Sequence, residues 1–145
     1  MRYLVALLLS VSTAALAGDP VGAWIGTYRC AQGVTGGDLV IAADGAGGLR
    51  AVFHFFADAT NPGVPEGCFT MSGALDAQGA HITLRPGAWI VRPPNFGMAG
   101  LEGDIDPLGT TIDGHVTGFG SACGAFHLRF TSLLPPARVG CRIAP

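Results

Sequence analysis

The chain has no lysine; all eight of its basic residues are arginines. They are scattered and mostly single, and against ten acidic residues they leave a formal net charge of −2. Nucleic-acid binders carry a clustered basic face, so no nucleic-acid partner is expected. Close cysteine pairs are missing too. Cys30, Cys68, Cys123 and Cys141 stand far apart, without the Cys-x-x-Cys spacing that structural zinc favours, and no metal or other cofactor is expected. None of the later serines, Ser72, Ser121 and Ser132, lies in a Gly-x-Ser-x-Gly frame. The nearest string is Gly120-Ser121-Ala122-Cys123-Gly124, so serine hydrolysis has no sequence signal. No apolar run reaches the about 20 residues that a membrane-spanning helix requires.

What is present begins with an address. Arg2 gives a positive start, residues 4–9 an apolar run, and Ala15-Leu16-Ala17 a small-x-small site. This is the pattern of a signal peptide cleaved after residue 17, leaving Gly18 as the first mature residue. A periplasmic or secreted location follows, with no stable membrane insertion after cleavage. Four cysteines in an oxidising compartment read as two disulfides.

Beyond the leader no helical period is found. Short runs of β-branched, aromatic and aliphatic residues alternate instead with Gly, Asp, Asn and Pro. The runs span residues 24–30, 38–43, 49–57, 68–75, 80–85, 98–105, 111–118 and 124–130. Ile82 and Leu84, Ile112 and Val116, and Phe126, Leu128 and Phe130 alternate with polar neighbours, giving each strand a dry and a wet face. Phe53, Phe55, Phe69, Met71, Leu101 and Ile105 join the dry set, whereas Val52 and Phe56 fall on the other face. Asp44-Gly45-Ala46-Gly47-Gly48, Asp76-Ala77-Gln78-Gly79 and Asp106-Pro107-Leu108-Gly109 read as tight turns. The connections over residues 31–37, 58–67, 86–97 and 119–123 read as longer. If neighbouring strands run up and down, all tight turns lie at one end and all longer loops at the other.

The fold class expected is therefore all-β, an eight-stranded antiparallel up-and-down barrel over residues 18–130, closed so that no edge is exposed. In such a barrel the first and last strands are neighbours. Cys30 ends the first strand and Cys123 precedes the last, so a Cys30–Cys123 bond would staple the seam. By exclusion Cys68 pairs with Cys141, and the Pro-rich tail over residues 131–145 would be pinned to the wall.

Gly22-Ala23-Trp24 at the start of the first strand, with Arg129 near the end of the last, resembles the calycin pattern of lipocalins and avidins. The resemblance implies a lipocalin-like barrel whose floor is closed by Trp24 packed near Arg129. The wider pattern is Trp24-x-Gly26-x-Tyr28-x-Cys30, Asn61-Pro62-x-Val64-Pro65-x-Gly67, Trp89-Ile90-x-Arg92-Pro93 and Cys123-Gly124-x-Phe126. It covers most of the mature chain and is similar to small exported bacterial domains of no assigned function. One register that sets Trp24 opposite Arg129 also sets Cys30 opposite Cys123, yet alternation puts Arg129 outside and Trp24 inside. A bulge near Gly26 or Gly124, or a register one residue off, would reconcile the two.

No catalytic set emerges. His115 and His127 could oppose each other on the outer wall beside Asp113 and read as solvated histidines rather than metal ligands. His54 and His81 lie on other strands. Glu102, Asp104 and Asp113 alternate with apolar residues as an outer face does. The rim carries the candidates instead: Gln32, Thr35, Asn61, Glu66, Trp89, Arg92, Asn95 and Phe96, on loops stiffened by proline. Trp and Arg often dominate binding energies, and stiff loops lose little entropy on contact. The function expected is a non-catalytic binding module that meets a partner protein or small ligand at this rim. The alternatives are a lipophile carried inside the barrel and an envelope protein with a filled core.

Overall fold

The structure, a computed structural model, describes residues 19–132 and Cys141. The leader and nearly all of the tail lie outside the described residues. Eight strands, β1 (Gly22–Cys30), β2 (Gly33–Ala43), β3 (Leu49–Ala57), β4 (Gly67–Leu75), β5 (His81–Val91), β6 (Gly100–Ile105), β7 (Thr111–Thr117) and β8 (Ala125–Ser132), follow one another around a closed antiparallel barrel. A single 3-10 turn, Gly120–Ala122, precedes β8. The barrel is all-β and up-and-down, as the alternation predicts.

Period-two polarity sets the interior. Leu39, Ile41, Phe53, Phe55, Phe69, Met71, Ile82, Leu84, Leu101, Ile105, Ile112, Val116, Phe126 and Leu128 all point inward and are buried. The three tight turns share one device. Asp44, Asp76 and Asp106 each accept backbone N–H bonds from the far side of their own turn, Asp44 from Ala46 and Gly48 and Asp76 from Ala80 and His81. Asp106 accepts from Thr110 and Thr111. At Asp106 the Thr110 hydroxyl contributes most, ahead of the backbone bonds; at Asp44 and Asp76 the backbone bonds lead, and all three carboxyls are held below the usual aspartate range. All three turns close the same end.

At the rim the connections differ from expectation in two places. The first is shorter: β1 and β2 are joined by Ala31 and Gln32 alone, because residues 33–37 belong to β2. The glycines there serve packing. A Cβ at Gly36 would lie 2.4 Å from the Phe56 ring, and one at Gly37 would lie 3.1 Å from Phe53. The second difference is β5, which runs on through Pro86-Gly87 to Val91 and carries Trp89 on a strand rather than a loop. Its ladder with β4 is irregular between Met71↔Pro86 and Phe69↔Trp89. There the Thr70 hydroxyl accepts the Ala88 N–H at 2.9 Å. Proline is tolerated in sheets where such a bulge interrupts the ladder.

The seam resolves by a register one residue off. Trp24 pairs with Phe130, Ile25 with Arg129 and Tyr28 with Phe126. Trp24 is buried, meets Phe130 edge-on at 5.3 Å, and donates its indole N–H to the Pro20 carbonyl at 2.9 Å. Arg129 is exposed on the outer face opposite Ile25 and Thr111. The Trp–Arg floor implied by the calycin resemblance is therefore corrected to a Trp24–Phe130 floor. Cys123 sits just beyond the end of the ladder, where Gly124 N–H bonds the Arg29 carbonyl, and it forms a disulfide with Cys30. Cys68 and Cys141 form the second disulfide.

That second bond explains a patch that alternation assigns to the wet face. Val52 and Cys68 lie on the outer wall, yet with Cys141 they form a small buried cluster. Asp38 and His54, beside them on the same face, are buried as well.

Candidate functional site

The two ends of the barrel are filled differently. Trp24, Ile41, Ile82, Leu84, Ile112 and Leu128 pack the end with the aspartate turns, each at most 2% exposed. At the rim end the inner wall is made by Tyr28, Phe53, Phe55, Phe69, Leu101 and Val116, and it encloses a cavity of about 290 Å³. Gln32, the Cys30–Cys123 disulfide, residues 95–97, Phe119 and Ala122 frame its mouth.

Aromatic rings dominate this wall. Tyr28 meets Phe53 edge-on at 5.4 Å, and Phe53 meets Phe69 at 5.6 Å. Trp89 stands behind them, edge-on to Phe69 at 5.3 Å and to Phe55 at 6.2 Å. Such spacings and tilts are the favourable ones for aromatic pairs. Phe96 reaches over from the connection after β5 and stacks on Phe55 at 5.2 Å and 11°. Two local features aim it there. Pro93 is buried against Gly67, where a Cβ would come within 2.6 Å of the proline ring. Asn95 then adopts φ 64°, a left-handed conformation that Asn accepts more readily than most residues.

Tyr28, Gln32 and Asn95 bring polar groups to the otherwise apolar lining. Gln32 donates from Nε2 to the Tyr28 hydroxyl at 3.3 Å and to Thr35 Oγ1 at 3.1 Å, and Thr35 donates onward to the Gly33 carbonyl. Burial pushes the Tyr28 hydroxyl up to about 12, outweighing the opposite pull of Thr35 and Gln32. Among the described residues, the cavity lining contains no Arg, His, Asp or Glu side chain.

The residues expected at the rim therefore separate. Gln32, Asn95 and Phe96 line the cavity, and Trp89 buttresses it from β5. Thr35 is fully buried beneath Gln32. Asn61 holds the framework together: its side-chain N–H groups bond the Gln32 carbonyl at 2.6 Å and the Val34 carbonyl at 3.1 Å, tying the β3–β4 connection to the β1–β2 turn. Glu66 turns to the outer wall and takes His54 Nε2 at 2.6 Å. Arg92 is exposed, with its guanidinium 5.8 Å from the Trp89 ring centre. Sequence reasoning placed Phe53, Phe55, Phe69 and Leu101 inside without identifying them as a cavity wall. It did not single out Tyr28 or Phe119 for this site.

The outer-wall histidines also fall differently from expectation. The β7–β8 register sets His127 opposite Asp113 and His115 opposite Ala125, so the two histidines do not face each other. His127 Nδ1 is bonded to Asp113. His81 lies between Asp104 at 2.7 Å and Glu102 at 3.1 Å, and His115 approaches Glu102 from the other side at 3.8 Å. The bond to Asp104, then that to Glu102, raises the His81 pKa above its ordinary value. Among the described residues no three His, Cys, Asp or Glu side chains are placed to hold a metal ion.

Comparison with protein-family models, with curated proteins and with solved structures returned no match to this chain.

Proposed function

We propose that this chain is an exported, non-catalytic binding protein that takes a small ligand into the mouth of its barrel. The carrying observation is the unequal filling of the interior: a packed closed end, and a rim end holding a cavity of about 290 Å³ walled by aromatic rings. Barrel mouths lined by apolar side chains with a few convergent polar groups are favoured ligand sites. This half-empty interior speaks against an envelope protein with a filled core.

Export rests on the leader pattern ending at Ala15-Leu16-Ala17 and agrees with the two disulfides, which suit an oxidising compartment. No helix among the described residues is long and apolar enough to cross a membrane. The barrel's outer wall carries Arg50, Arg85, Glu102, Asp104, Asp113 and Arg129 around an apolar inside, the reverse of a lipid-facing barrel. A binding role without catalysis agrees with the placement of the histidines, which lie on the outer wall away from the cavity.

A second reading, a partner protein seated on the rim, is favoured by exposed apolar side chains near it. Ile90 is 39% exposed, and Val91 and Phe119 are each 41% exposed.

Native mass spectrometry of protein recovered from the exported fraction tests the first reading. A small-molecule adduct released on denaturation is the expected result. A ligand-free protein that also gives no thermal shift with small apolar compounds would remove it.

A further inference from the structure

The chemistry of the cavity wall narrows the ligand, on the reading that the mouth is a small-molecule site. We infer that the ligand is an uncharged molecule of one or two aromatic rings bearing a single O–H or N–H donor, which is met by the Gln32 side-chain carbonyl.

Charge is the first discriminator. Among the described residues, the cavity lining offers no ionised partner of either sign. A carboxylate or ammonium entering it would lose hydration with no counter-charge to replace it, which is strongly unfavourable. Tyr28, the one titratable side chain on the wall, stays protonated at neutral pH and does not alter that balance.

Shape is the second. The cavity, about 290 Å³, stands at the lower edge of the about 300–1,000 Å³ typical of small-molecule sites. It cannot extend down the barrel axis, because Trp24, Ile82, Ile112 and Leu128 fill the closed end. A long acyl chain has nowhere to run. A planar ring does, against a wall in which Phe53 meets Phe69 at a tilt and Phe55 stacks on Phe96.

The hydrogen-bond inventory gives the polarity of the anchor. A Gln side chain has two donor hydrogens and one acceptor oxygen. Of the two amide side chains in the lining, Asn95 is exposed, and Gln32 directs its nitrogen to Tyr28 and Thr35, so the capacity that Gln32 leaves to a ligand is that of its carbonyl oxygen. The complementary group is a donor, and a phenol-type O–H or indole-type N–H supplies it without charge.

Isothermal titration of the full-length exported protein with five probes tests this: p-cresol, toluene, p-toluate, tetramethylammonium and decanoate. The first three share a ring and differ in one substituent. p-Cresol should bind best, with toluene weaker by about three- to tenfold, the equivalent of one net hydrogen bond. The three charged probes should give no measurable heat of binding. Gln32→Leu should remove the difference in affinity between p-cresol and toluene. Ala122→Trp, an exposed position at the mouth, should abolish binding of both without unfolding the chain.

A preference for p-toluate, tetramethylammonium or decanoate that Ala122→Trp abolishes would overturn the assigned ligand class and leave the mouth as the site. Equal binding of p-cresol and toluene would overturn the Gln32 anchor. Silence toward all five probes, or binding that Ala122→Trp does not touch, would overturn the mouth reading itself.

Discussion

Gly26→Ala is the sharpest test of the barrel seam. Gly26 points inward on β1, opposite Leu128 of β8, and a Cβ there would lie 1.9 Å from the His127 carbonyl oxygen and 2.9 Å from its carbon. Close C–H···O contacts are found at about 3.3 Å, so the two strands would have to part by on the order of 1 Å at the middle of their ladder. The strain cannot spread along the seam, because Cys30–Cys123 ties one end and the Trp24–Phe130 contact fills the other. Two ladder bonds at about 1 kcal/mol each would weaken, and stranded buried groups add about 1–3 kcal/mol apiece where they stay dry. Against this, alanine reduces the entropy of the unfolded chain by about 0.4–1 kcal/mol in the substitution's favour. The expected net loss is about 2–4 kcal/mol. In urea unfolding of the oxidised protein followed by tryptophan fluorescence, that is a midpoint drop of about 1–2 M. Gly63→Ala is the control, since nothing lies within 4 Å of its Cβ position, and it should change stability by less than about 0.5 kcal/mol. A Gly26→Ala protein as stable as the control would refute the one-residue register offset on which the close approach depends.

Three further outcomes follow from the site and its surroundings. In the chain beginning at Gly18, Tyr28 is the one tyrosine, so phenolate absorbance should rise with a midpoint of about 12. Its folded pKa lies above the unfolded value near 10, so this group's contribution is complete below that value and is lost as pH rises through the folded one; a midpoint near 10 would mean the hydroxyl is not buried. His81 has a folded pKa raised by Asp104 and Glu102, so its contribution is complete below about pH 6.5 and lost as pH climbs through the raised value. Urea midpoints at acidic and mildly alkaline pH should differ more in the wild type than in His81→Asn, and equal differences would deny the pairing. Asn61→Ala strands two carbonyls at the mouth and should cost about 1–2 kcal/mol in thermal unfolding, with weaker ligand binding because the Gln32 turn loses its tether. An unchanged melting temperature would return Asn61 to the free rim.

The strand count, the up-and-down order, both disulfides and the grouping of aspartate turns at one end were legible in the sequence, because each rests on a local rule. Alternation fixed the inner faces of β5, β7 and β8, and Asp-Gly chemistry fixed the turns. What escaped depends on contacts between distant segments. Pro86-Gly87 reads locally as the end of a strand; only Thr70, on the neighbouring strand, accommodates the bulge that lets β5 continue to Trp89. The glycines at 33, 36 and 37 read as a loop, although at 36 and 37 they leave room for the rings of Phe56 and Phe53. Val52 and Cys68 obey the wet-face alternation and are buried nonetheless, since Cys141 arrives from the far end of the chain to pack on that wall. The cavity escaped for a different reason. An inward Phe contributes the same signal to the pattern whether its ring meets another side chain or open space.

Stability and the proposed recognition are separated along the barrel axis, and the linkages that do this are identifiable. At the closed end, apolar packing and three aspartate-capped turns hold the strands together with no participation from the mouth. At the rim, where the interior is not filled, packing cannot supply the same constraint, and other linkages take its place. The Cys30–Cys123 bond fixes the 3-10 turn, and Phe119 just before it, against β1. The Asn61 amide fixes the β3–β4 connection against the Gln32 turn. Pro93, packed over Gly67, fixes the segment that carries Phe96. Each of the three long connections is thus anchored by a covalent bond, a side-chain-to-backbone pair or a buried proline, beside the core contacts that Val64, Phe96 and Cys123 make. A barrel held in this way keeps its mouth in shape while empty, so the proposed ligand would find little ordering entropy left to lose.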